Sequence, residues 1–123
     1  MAAPNIVNVT SILGETQGKA LTTSLADIVV CAANKVYKVN AIYVSNVDGT
    51  NNAEADIAFF DSSEGGSGTA FYIAKTVVVP ADASLDVLSK SVYLEEGDKI
   101  QAKASEASDL EIVVSYEIID DAT

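Results

Sequence analysis

The sequence predicts an all-β chain: an antiparallel β-sandwich of jelly-roll-like form with about eight strands. Three observations predict it. Apolar and polar residues alternate with period two along most of the chain, as they do where a strand buries one face. Turn residues interrupt this alternation at short intervals. No segment sustains a helical period flanked by caps.

The strands follow in order at 5–13, 19–24, 26–32, 35–47, 54–61, 69–79 and 84–93. All are rich in the Val, Ile, Thr, Tyr and Phe that fit a pleated surface. The third and fourth carry the apolar run Ile28-Val29-Val30-Cys31 and the long stretch ending at Val47. A polar loop, Asn46-Val47-Asp48-Gly49-Thr50-Asn51-Asn52, leads to 54–61, where Ala55, Ile57 and Phe59 share a face opposite Glu54 and Asp56. The stretch Asp61-Ser62-Ser63-Glu64-Gly65-Gly66-Ser67-Gly68 reads as a flexible loop tip. Pro80 ends the run Val77-Val78-Val79, because proline cannot donate to a ladder in mid-sheet. The 81–90 stretch fits a short helix or a strand; the Leu85, Val87 alternation favours the strand. Glu95-Glu96-Gly97-Asp98 turns the chain. Ile100, Ala102 and Ala104 then alternate with Lys99, Gln101 and Lys103. The last strand alternates Leu110, Ile112, Val114, Tyr116 and Ile118 with Glu111, Val113, Ser115, Glu117 and Ile119. The linker 105–109 has a length suited to a hairpin between these two strands.

One domain, 1–123, accounts for the whole length, with residues 1–8 as a candidate partner-binding arm. The chain has no His, Arg or Trp, and 18 acidic residues against 7 basic ones give a net charge of −11. Most catalysis near neutral pH recruits His as a base, so an enzyme is not expected. Phosphate backbones are held by clustered Lys and Arg. The lysines here are scattered over positions 19, 35, 38, 75, 90, 99 and 103, so nucleic acid is not an expected partner, and an anionic membrane is repelled for the same reason. The first residues, Met-Ala-Ala-Pro-Asn, have neither a basic nor an apolar signal region, and no apolar stretch reaches a membrane span. Cys31 reads as a small buried hydrophobe in a protein made in a reducing cytosol.

No cofactor, metal or catalytic site is expected. Glu95, Glu96 and Asp98, with Asp82 and Asp86 nearby, are oxygen ligands of the kind Ca²⁺ uses, but the spacing of a calcium loop is absent. Glu54 and Asp56 look like the solvent side of a strand rather than a glycosidase pair. Ser89 and Lys90 point to opposite faces of a regular strand. Gly65-Gly66-Ser67-Gly68 lacks the helix and lysine of a phosphate loop. Tyr37, Tyr43, Tyr72, Tyr93 and Tyr116 are expected in the core or at subunit interfaces. Several strands are apolar on both faces: Val39 to Val44, Phe59-Phe60 and Val77 to Val79. A sandwich buries one face per sheet, so outer apolar residues await a partner, and a homo-oligomer is expected.

Four segments carry a resemblance: Pro4-Asn5-Ile6-Val7-Asn8-Val9-Thr10-Ser11-Ile12, Ile73-Ala74-Lys75-Thr76-Val77-Val78-Val79-Pro80-Ala81, Tyr93-Leu94-Glu95-Glu96-Gly97-Asp98 and Val114-Ser115-Tyr116-Glu117. Together they resemble small virion structural proteins of tailed bacteriophages, especially those infecting cyanobacteria. The resemblance implies a non-enzymatic component of the virion, made in the bacterial host cytoplasm. Its first form is a capsid decoration (cement) protein on the outer shell, with the major capsid protein or other virion proteins as partners and a homotrimer as the assembly. Its second form is a neck, tail or fibre adaptor. In the decoration reading Asn5, Ile6 and Val7 are candidate capsid contacts, and Gly65 and Gly66 form a second candidate contact. A carbohydrate-binding module using Tyr side chains beside the Asp and Asn of the 46–52 and 61–68 loops is the competing class.

Overall fold

A computed structural model describes residues 9–62 and 68–120. Among these described residues nine strands form: β1 (Ser11–Ala20), β2 (Ala26–Val30), β3 (Val36–Asn46), β4 (Ala53–Asp61), β5 (Thr69–Val79), β6 (Ser84–Asp86), β7 (Val92–Leu94), β8 (Lys99–Ala104) and β9 (Leu110–Asp120). They build two antiparallel sheets. Sheet A runs β1-β9-β3-β6, with β7 also pairing β3; sheet B runs β2-β8-β4-β5. The pairs β1·β9, β2·β8, β3·β6/β7 and β4·β5 are nested like one long hairpin, and they alternate between the sheets. That is a jelly-roll-like winding with one strand position split in two.

The core follows from the alternation. Leu110, Ile112, Val114 and Tyr116 of β9 face Ile100, Ala102 and Ala104 of β8 across the sandwich. Val39, Ile42 and Val44 of β3 join Ala55 and Ile57 of β4, all buried. A bulge at Asn40 shifts the β3·β9 register and keeps Ile42 on the inner face. Tyr37 and Tyr116 stack inside, their ring centroids 5.1 Å apart.

Four expectations are corrected. The 105–109 linker is not a hairpin loop: β8 lies in sheet B and β9 in sheet A, so it crosses between layers. It is fixed there by Ala104 N–H donating to Thr22 C=O and Ser108 N–H to Leu21 C=O. Residues 5–8 of the strand expected at 5–13 lie outside the described residues; from there on, in place of separate strands ending at 13 and starting at 19, one continuous strand, β1, pairs with β9 without a register break through Gly14 and Gly18. Residues 84–93 form two short strands, β6 and β7, rather than one. Asp56 is buried, not on a solvent face.

Candidate assembly surface

The buried acidic residues Asp56 and Asp98 are occupied in holding the fold together. Asp56 Oδ1 accepts the Thr76 N–H at 2.6 Å, and Oδ2 lies 3.3 Å from Lys75 Nζ and 3.8 Å from Lys103 Nζ. Thr76 has φ 55°, an outlier for a β-branched residue, inside a bulge where β5 spends an extra residue against β4. The carboxylate is what the strained amide turns toward. Burial raises its pKa, but the Thr76 amide and the two lysines outweigh this and hold it below the usual value. The depression around it, about 360 Å³, is lined by Thr23, Glu54, Lys75 and Lys103 among others. Within it Asp56, Lys75 and Lys103 are paired with one another.

The other candidates resolve in the same way. Asp98 is buried, with Oδ1 accepting from Ser62 N–H and Oδ2 from Glu95 N–H, so it organises the turn into β8. Among the described residues no cluster of acidic, His or Cys side chains could hold a metal ion. In the 46–52 loop, buried Asn46 donates to Asn51 and Val79 carbonyls and accepts from Asp48 N–H, while Asp48 accepts from Thr50 N–H. These groups shape the loop rather than point outward as a sugar site would need. Cys31 is buried, its Sγ–H directed at the Lys35 and Leu94 carbonyls, and burial pushes the thiol up to about 11. The candidate contacts Asn5, Ile6, Val7, Gly65 and Gly66 lie outside the described residues.

The tyrosines divide. Tyr37 and Tyr116 are core residues, whereas Tyr43, Tyr72 and Tyr93 are exposed. By register, Tyr43 stands on the outer face of sheet A opposite Val113, and Tyr93 stands on that face opposite Lys38. Tyr72 stands on the outer face of sheet B, where Lys75 Nζ lies 4.5 Å from its ring centroid. On that same face Lys99 pairs with Asp27 at 3.1 Å, and Gln101 Nε2 donates to Asp27. Sheet B therefore presents a cross-linked polar patch beside the exposed Val30 and Val78, and sheet A exposes Tyr43, Tyr93 and Val113 among Lys38, Glu111 and Glu117.

Sequence reasoning missed β1. All ten of its residues are exposed, on both faces, and Ile12 and Leu13 keep 62% and 61% of their surface open. On the face that would be the core side, β1 carries Leu13, Glu15, Gln17 and Lys19. Tyr116 Oη, pushed up to about 12 by burial and by Glu15, donates toward Glu15 and Gln17. The strand thus extends sheet A past the shelter of sheet B. The signal for it was an absence: 11–20 has no apolar stripe of either period.

No family model matches the chain, and no curated protein matches it in sequence. Solved structures do align. One comes from Bacillus endospore appendages, which form a family of disulfide-linked pili; it covers 98% of this chain and 99% of its own at TM-score 0.52 and 18% identity. A second is the acidic stable capsid of Helicobacter pylori bacteriophage KHP30, covering 93% of this chain and 91% of its own at TM-score 0.52 and 7% identity. A third, a pentameric capsid protein from metagenomic phage sequences, covers 98% of this chain and 68% of its own at TM-score 0.45 and 17% identity. At these identities the first two establish a shared fold.

Proposed function

We propose that this protein is a non-enzymatic structural component of a bacteriophage virion, and that it acts as a capsid decoration protein on the outer surface of the shell. The observation that carries this reading is where the exposed and the polar groups lie. The buried Asn46, Asp56 and Asp98 side chains are bound up in loops, bulges and turns, while a whole strand and several apolar side chains are left open to partners. The fold shared with the KHP30 capsid structure supports a virion setting. The charge of −11 without arginine suits an outer position, away from packaged DNA. Its partners are the major capsid protein or other virion proteins, together with its own copies.

The fold shared with the endospore appendage structure favours a second reading, a fibre, neck or tail component. Quantitative mass spectrometry of purified particles separates the two. Copies in the hundreds support decoration, a dozen or fewer support the neck or tail, and absence from the particle refutes both.

A further inference from the structure

A sandwich has four sheet edges, and an open edge is a template for another strand unless something blunts it. Three of the four edges here are blunted. The β5 edge is broken by two register shifts, one of them carrying Thr76 at φ 55°. The β2 edge is five residues long and has a register shift between Asp27 and Val29. The third edge is divided between β6 and β7, three residues each. The β1 edge has none of these devices. It is ten residues long, in unbroken register with β9, free of proline, and without a strand on its far side among the described residues.

The direction of its free hydrogen-bonding groups can be read off. Leu21 N–H donates to Leu110 C=O, and Val47 N–H to Asp109 C=O, so even-numbered residues of β9 bond toward β1. By the register, the odd residues of β1 bond to β9, and Ile12, Gly14, Thr16, Gly18 and Ala20 direct N–H and C=O outward. Gly14 adds an independent sign. A Cβ placed there would meet nothing within 4 Å, and its φ is not in the left-handed region, so nothing among the described residues requires glycine. Glycine inside a strand often marks the close approach of another backbone.

We infer that β1 is a self-association edge, at which the β1 strand of a second copy adds antiparallel across a two-fold axis at Gln17. Charge selects the copy and the register. Pairing through the outward residues restricts the sum of paired residue numbers to even values. When the sum is thirty-four, Glu15 of each copy stands opposite Lys19 of the other, on the same face, with Gly14 opposite Ala20 and Thr16 opposite Gly18. When it is thirty, Glu15 opposes Glu15; when it is thirty-two, Lys19 opposes Leu13. The favoured register joins residues 14–20 of both strands through about eight backbone hydrogen bonds, two opposite-charge pairs and small side chains at every bonded position. Identical antiparallel strands demand a two-fold axis, so the assembly is a dimer in place of the trimer implied by the resemblance.

The inference stands apart from the virion reading, since it concerns the free protein. Sedimentation of the full chain at micromolar to about 100 µM concentration is expected to give twice the chain mass. Thr16→Pro removes an outward N–H that β9 does not use, and it is expected to give a single-chain mass with an unchanged β circular dichroism spectrum. Lys19→Glu and Glu15→Lys each place like charges opposite one another and are expected to weaken dimerisation at least tenfold; the double swap E15K/K19E is expected to restore it. A single-chain or trimeric mass for the unmodified protein overturns the inference. So does a dimer that survives Thr16→Pro, or a double swap that fails to rescue.

Discussion

Asp56→Ala tests the claim that a buried carboxylate holds β5 in its bulge. In the folded chain the Thr76 amide has Asp56 Oδ1 as its acceptor at 2.6 Å. A hydrogen bond to a charged group contributes about 1.5–3 kcal/mol. Lys75 and Lys103 lie 3.3 and 3.8 Å from Oδ2, but their side chains are 57% and 39% exposed, so solvent screening limits each to at most about 0.5 kcal/mol. The sum is about 2–4 kcal/mol. For a chain of this size a kcal/mol moves Tm by about 4 °C, which gives a fall of about 8–16 °C. Asp56→Asn keeps an acceptor for the amide and loses only the charge, so its cost is expected to be about half. Lys75→Ala and Lys103→Ala should each cost below about 1 kcal/mol. Urea unfolding followed by circular dichroism measures all four. If Asp56→Ala costs under about 0.5 kcal/mol, or the lysine variants cost more than it does, the amide is not what the carboxylate serves and the argument fails.

Asn46→Ala strips two donated bonds and one accepted bond from a buried side chain, leaving the Val79 carbonyl without its amide; urea titration is expected to show a loss of about 2–4 kcal/mol. Stability should depend on pH at both ends. The folded-state pKa of Asp56 is lowered, so its contribution is present above the ordinary 3.8 and is lost as pH falls through the lowered value. Cys31 and Tyr116 are raised from 9.0 and 10.0 to about 11 and about 12, so the unfolded chain ionises first, and their contributions fade as pH climbs through those intervals. Urea midpoints that stay flat from pH 3 to 11 would contradict both. Cys31, buried and protonated at neutral pH, is expected to react with a thiol reagent only at the rate of unfolding; modification as fast as that of a free thiol would contradict the burial assigned to it.

The strands that bury one face were legible because burial writes the alternation. β5 begins and ends at the expected residues, and β9 differs only in its last one. β1 was not legible as a unit. It buries neither face, so selection for a core left no period in it, and residues 14–18 fell between the two expected strands. Asp56 was misjudged because strict alternation places it outward. A bulge on the neighbouring strand folds Thr76 over it, and no local pattern in 54–61 encodes that. The expected absence of a catalytic base rested on composition alone; what the structure shows is that the buried carboxylates hold amides and, at Asp56, lysines.

By itself the sequence determined the fold class, the identity of most core residues and the acidic, arginine-free surface, because these depend on residue type and local period. Only the tertiary structure decided that β8 and β9 part into different sheets, that Asp56 is spent on a bulge, and that β1 stands open at an edge. Those depend on which distant segments become neighbours. Chain closure over long loops sets such neighbours through the summed packing of two whole sheets, and no window of ten residues contains that sum.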